Sequence, residues 1–115
     1  MGAGFNRNVN SSQLESLMRT FKISQSAGTY TIDDGVGDFT LTKNGTGDVT
    51  LTFVTPYAKL MCASNPVPVV ANLRCQLSEQ DASHVRYVFT NNSGTATETG
   101  FQGFVLGSMT DTVKR

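Results

Sequence analysis

The chain has 115 residues, with 9 basic and 9 acidic side chains, one histidine and a formal net charge of zero. That length holds one domain with a two-layer core. The balanced charge supplies neither a field that draws in nucleic acid nor a polybasic run that holds a membrane surface. Charged residues are only 16% of the chain, so its polar surface is threonine, serine, asparagine and glutamine, which suits packing against copies or sitting on an assembly and equally fits a plain secreted β-domain.

Residues 1–19 differ in composition from the rest of the chain. They are rich in Asn and Ser and lack the apolar core of a signal peptide, and no later run approaches the ~20 apolar residues that span a bilayer. Gly2 invites a myristoylation reading, but Asn6 stands where Ser or Thr is required. Ser12 and Glu15 have capping-box spacing, with Leu14, Leu17 and Met18 on one helical face. The segment is read as an N-terminal arm, either a helical turn or a stretch that orders only against a partner. Phe5, Val9, Leu14, Leu17 and Met18 are its candidate docking groups, and Arg7 and Arg19 could pair with carboxylates on that partner.

From Thr20 to Arg115 the pattern is β. Phe21 and Ile23 alternate with polar neighbours and Ser26-Ala27-Gly28 turns the chain. Thr29–Ile32, Phe39–Thr42 and Val49–Phe53 place an apolar residue at every second position, with threonine between. A period of two gives one wet and one buried face, the signature of antiparallel strands. Asn44-Gly45 supplies positive φ for a hairpin between the last two. Thr55-Pro56-Tyr57-Ala58 breaks the pattern and Asn65-Pro66 resets the chain as extended.

Val67, Val69, Ala71, Leu73, Cys75 and Leu77 then form one apolar row, which predicts a long strand with Pro68 at an edge or bulge. Leu73 is expected to be buried at its centre. A polar loop comes next, then an inner row of Val85, Tyr87 and Phe89, a turn at Asn91–Gly94 and a threonine-rich connection. The closing strand runs from Phe101 to Gly107 and is apolar on both faces, so it belongs mid-sandwich or at a subunit contact. Phe101, Phe104 and Leu106 are its candidate oligomer contacts. The expected fold is all-β, an antiparallel jelly roll or β-sandwich of about eight strands behind an N-terminal arm, with domain limits 1–19 and 20–115.

Reactive groups are sparse. Asp81, Ser83 and His84 offer hydrolase residue types, but one short loop cannot set up nucleophile, base and orienter, and no Gly-x-Ser-x-Gly elbow is present. Asp33, Asp34 and Asp38 do not follow calcium-loop spacing, and as a glycosidase pair they lack apolar neighbours to raise one pKa. The turn is read as solvated. Two cysteines cannot make a disulfide framework; Cys62 and Cys75 could pair, although Cys75 reads better as a small core hydrophobe. One histidine makes no zinc site. There is no Trp, which leaves Tyr57 and then Tyr30 as candidate aromatics for stacking on a glycan. No catalytic residue, cofactor or metal is expected.

The run Gly45-Thr46-Gly47-Asp48-Val49-Thr50-Leu51-Thr52-Phe53, followed by Thr55-Pro56-Tyr57-Ala58, resembles small jelly-roll knob modules of tailed-bacteriophage fibre and capsid-surface proteins. The resemblance covers about residues 28–107 and includes Val85–Thr90, the Asn-Ser-Gly turn and the closing Phe-Val-Leu-Gly strand. It implies a tumour-necrosis-factor-like topology, a homotrimer and a non-enzymatic virion protein assembled in the host cytoplasm. A capsid decoration or knob bound to other virion proteins is the leading expectation. A fibre-tip module that recognises a host surface glycan is the alternative.

Overall fold

The computed structural model describes residues 16–109. Nine β-strands fill it: β1 (Ser16–Ser26), β2 (Thr29–Asp34), β3 (Phe39–Gly45), β4 (Asp48–Phe53), β5 (Lys59–Ala63), β6 (Val67–Pro68), β7 (Arg74–Gln80), β8 (His84–Thr90) and β9 (Phe101–Ser108). They pair into two antiparallel sheets. One has the order β2-β1-β9-β5, with β6 also on β9, and the other β3-β4-β8-β7. The fold is an all-β sandwich of jelly-roll-like character, and no helix occurs among the described residues.

Alternation decides which faces meet. Phe21 and Ile23 of β1, Phe101 and Val105 of β9, Val49, Leu51 and Phe53 of β4, and Val85, Tyr87 and Phe89 of β8 are all at most 2% exposed. Their rings interlock mostly edge to face, as in Phe21–Phe101 at 5.9 Å and Tyr87–Phe101 at 5.7 Å between centroids, while Phe89–Phe101 is a tilted pair at 4.9 Å. Such pairs add to burial because the positive ring edge meets a negative face. Buried polar groups are satisfied: Thr99 Oγ1 accepts the Val70 N–H at 3.0 Å and donates to the Gly100 carbonyl at 2.8 Å.

Hairpin geometry follows turn chemistry. β1 and β2 join through Ala27 and Gly28 at φ 52° and 82°, a primed turn whose twist matches the flanking strands. The β3–β4 turn falls at Thr46-Gly47, with Gly47 at φ 65° and a bulge between Lys43 and Gly45, not at Asn44-Gly45. The later glycine takes the positive φ, so the strand extends through Asn44.

Three further expectations change. Ser16–Met18 are extended in β1, and Leu17 and Met18 therefore point to opposite faces instead of sharing a helical one. The domain limit at 19/20 falls inside that strand, because Ser16–Arg19 pair with Ser108–Val105. Finally, the long strand expected from Val67 to Leu77 is two strands in different sheets. Val69–Asn72 form a bend and turn between them, with Asn72 at φ 62°, and Leu73 is half-buried at the rim of the core.

Candidate functional site

The sandwich has two unlike poles. At one, Ser16 pairs with Ser108, so the two ends of the described chain leave side by side. The loops 35–38, 54–58 and 81–83 gather there, joined by Val54 N–H to Asp38 O and Phe53 N–H to Ser83 O, each at 2.9 Å. Tyr57 is 3% exposed at this pole and its hydroxyl donates to the Leu17 carbonyl at 2.9 Å. It cannot stack on a glycan, because its ring faces Phe53 at 5.1 Å and the Arg19 guanidinium at 4.4 Å. Arg19 is itself buried and donates to the Thr55 carbonyl at 2.7 Å, which removes it as a partner-facing cation. Around this buried pair, Leu17, Val54 and Met109 stay exposed and form an apolar rim. Phe5, Arg7, Val9 and Leu14, the other candidate attachment residues, lie outside the described residues.

The opposite pole is clasped by Glu98. Its Oε1 accepts the Tyr30 hydroxyl at 2.5 Å and the Gly47 N–H at 2.9 Å, and its Oε2 pairs with Lys43 at 2.6 Å. Lys43 also donates to the Gly28 carbonyl at 2.9 Å. One carboxylate thus ties the β1–β2 and β3–β4 hairpins to the connection that leads into β9. Burial pushes the Glu98 carboxyl up, but the hydrogen bonds from Lys43, Tyr30 and Gly47 outweigh it and hold the group below its ordinary value. Tyr30 is raised by burial and by the same carboxylate. Its hydroxyl is committed there, so Tyr30 offers no free polar handle.

The two outer faces of the sandwich contrast. Outward from β3, β4 and β8 stand Thr40, Thr42, Thr50 and Thr52 with Arg86, which makes two hydrogen bonds to Asp48 (2.8 and 2.6 Å) and a third to Glu79 (2.7 Å). The Arg86 hydrogen bonds are the largest cause holding the Asp48 carboxyl down. The outer face of the five-stranded sheet carries an apolar patch among polar side chains such as Thr20, Lys22 and Gln102. Phe104 and Leu106 of β9 point outward there, while Phe101 points into the core at 0% exposure and is removed as an oligomer contact. Met18, Met61 and Val67 are 57, 54 and 62% exposed on the same side. A groove of about 520 Å³ runs across this face, lined by Met18, Lys22, Asp34, Val67, Gln102 and Phe104.

Asp81, Ser83 and His84 do meet, with Ser83 Oγ 3.4 Å from His84 Nδ1. Asp81 Oδ1 accepts the Ser83 N–H and hydroxyl, both at 2.8 Å, and the His84 N–H at 3.0 Å, which makes it the cap of a tight turn. Those bonds, from Ser83 first, hold the Asp81 carboxyl down. The imidazole bridges Glu79 at 3.0 Å and Asp81 at 3.1 Å, while the serine hydroxyl gives its proton to Asp81. Asp33 instead accepts the Ser24 hydroxyl at 3.0 Å on the other sheet. Among the described residues no group of three or more His, Cys, Asp or Glu is placed to hold a metal ion. Cys62 and Cys75 are free, and burial pushes the Cys75 thiol up to about 12, which suppresses the reactive thiolate.

The sequence points to Phe104 and Leu106 but not to Glu98, Met61 or the groove. Glu98 stands alone in a threonine-rich stretch, 68 residues from Tyr30 and 51 from Gly47, so no local spacing marks it. Comparison with protein-family models, with curated proteins and with solved structures finds no match to this chain.

Proposed function

We propose that this chain is a non-enzymatic structural protein of a tailed-bacteriophage virion, a capsid decoration or knob that is assembled in the host cytoplasm and held on the particle by its N-terminal residues. The observation that carries the reading is the pairing of Ser16 with Ser108 at one pole. Both ends of the described chain leave there, beside exposed Leu17, Val54 and Met109, so that pole is the one suited to a particle surface. In this reading the attachment groups are Phe5, Arg7 and Leu14, which lie outside the described residues, together with Leu17 and Met18 of β1.

The polar chemistry supports a non-catalytic role. Carboxylates are spent on capping a turn (Asp81), clasping hairpins (Glu98) and pairing with Arg86 (Asp48, Glu79). Oligomerisation as a homotrimer, with Phe104 and Leu106 at the contact, is part of the proposal; the resemblance to trimeric knob modules and the outward aim of both side chains support it. With Tyr57 buried, the glycan-reading alternative loses its first candidate aromatic and is left with Tyr30.

Quantitative mass spectrometry of head and tail fractions from the source particles tests the reading. The expected result is a fixed, high copy number on tail-less heads. Recovery only with tail fibres, or with neither fraction, overturns it.

A further inference from the structure

We propose that Asn44 is a modification site: the Gly45 backbone nitrogen attacks the Asn44 side-chain amide and converts the residue to aspartate and isoaspartate, at a rate set by the hydrogen bonds from that amide to Asp48 and Thr50. The inference is independent of the virion reading, because it concerns the chemistry of one hairpin wherever the chain resides.

The sequence supplies the reacting pair. Asn44 is the one asparagine of the chain that precedes a glycine, whereas Asn65 precedes Pro66, which has no N–H to lose, and Asn92 precedes Ser93. Glycine has no Cβ to shield its nitrogen, and its backbone turns readily into the geometry that ring closure needs. Both residues are exposed on the edge strand β3. The space around Gly45 is open, since an added Cβ would meet nothing within 4 Å. The β3–β4 register shifts between Lys43 and Gly45, so Asn44 has no facing residue in β4 and the ladder is broken at this point.

The conversion balances with water alone. The Gly45 nitrogen loses its proton and bonds to Cγ of Asn44, the Cγ–Nδ2 bond breaks, and Nδ2 leaves as ammonia. Water then opens the five-membered imide. Attack at Cγ restores the main chain and leaves aspartate, while attack at the Asn44 main-chain carbonyl leaves isoaspartate, with the chain rerouted through Cγ. One water is consumed, one ammonia is released, and nothing is oxidised or reduced. The fold resists the first step. Asn44 Nδ2 donates to Asp48 Oδ1 at 3.1 Å and to Thr50 Oγ1 at 2.8 Å, and these bonds hold the side chain along β4. Its release from them sets the rate. The product cannot restore the bond to Asp48, because a carboxylate has no N–H to give and stands there as a like charge beside the group that Arg86 holds at 2.8 and 2.6 Å. Isoaspartate also adds a methylene to the main chain next to the Lys43–Val49 pair. The change is one-way, so the modified fraction rises with the age of the chain.

Peptide mass spectrometry of the full chain, held at ~37 °C and about pH 8 for about a month, follows the gain of about one dalton at each asparagine. Wild type, Gly45→Ala and Thr50→Val are compared, each first checked for unchanged circular dichroism. Gly45 is not among the glycines of positive φ and has room for a methyl group, so alanine fits there. Thr50→Val keeps the shape of the side chain and removes the acceptor. The expected result is conversion at Asn44 in wild type, with both aspartate and isoaspartate formed. The rate should be at least tenfold lower in Gly45→Ala and at least twofold higher in Thr50→Val. If Thr50→Val does not fold, wild type unfolded in guanidinium chloride carries the comparison, because both hydrogen bonds are then gone and conversion should outpace that of the folded chain. No gain at Asn44, equal rates in wild type and Gly45→Ala, or a rate unchanged by loss of the hydrogen bonds overturns the inference.

Discussion

The Tyr57 ring lies directly over Gly107 of β9, where a Cβ would collide with ring carbons and come within 2.8 Å of the Lys59 carbonyl. Only glycine lets the loop tyrosine lie flat against the strand, reach the Leu17 carbonyl and cover Phe53. Gly107→Ala is expected to destabilise the fold by about 1–3 kcal/mol through overpacking. Urea unfolding checks it, and the loss should shrink in the double variant with Tyr57→Ala, where the ring has gone.

The Glu98 clasp gives a pH dependence with a definite sign. Its folded-state pKa is depressed, so its stabilisation is present above the unfolded value and is lost as pH falls through the folded one. Glu98→Gln should therefore lower stability at pH 7 by about 1–2 kcal/mol, the scale of a charge-assisted hydrogen bond lost from a partly exposed site. The gap to wild type should close as pH drops below the ordinary carboxylate range. A gap independent of pH in denaturant titrations would remove the carboxylate from the account.

Core truncations should rank by burial. Phe89, at 0% exposure and ring-packed on Phe101, is expected to cost about 3–5 kcal/mol as Ala. Leu73, half-buried at the rim outside any strand, should cost about 1–2 kcal/mol, since less apolar area leaves water and the site can collapse. Equal losses in chemical denaturation would contradict the placement of the turn at Asn72.

Truncation separates anchor from body. Deleting residues 1–15 should leave the sandwich folded, because it keeps all the described β1–β9 pairs from Ser16 to Ile23. Deleting 1–19 should not. It removes four rungs of the β1–β9 ladder and the Arg19 guanidinium that satisfies the Thr55 carbonyl. Thermal melts of the two truncations check this. Binding of the shorter truncation to particles should fall to background if residues 1–15 anchor the chain.

Most strands are legible because one wet and one dry face write a period of two, as in Val49-Leu51-Phe53 and Val85-Tyr87-Phe89. The same signal misleads between Val67 and Leu77. Alternation cannot register a change of sheet, and the apolar row simply runs on through exposed Val69 and the turn at Asn72. Pro66 and Pro68 with Asn72 are the available clues to a break. Leu17 and Met18 suggest a helical pair because two apolar neighbours fit a helix stripe, whereas pairing with β9 extends them. Tyr57 looks free for a ligand in the sequence because nothing local reveals that Gly107, far along the chain, leaves room for its ring. Of the candidate contact surface, β9 supplies its own alternation. Met61 and Val67 join it only through pairing with β9 over long sequence distances.

Cryo-electron microscopy of the source particle tests the central claim most directly. The account predicts sandwich-shaped density on the head surface, with the Ser16/Ser108 pole toward the shell and the Glu98 pole toward solvent. Density for this chain at fibre tips, or on heads with the two poles reversed, would contradict it.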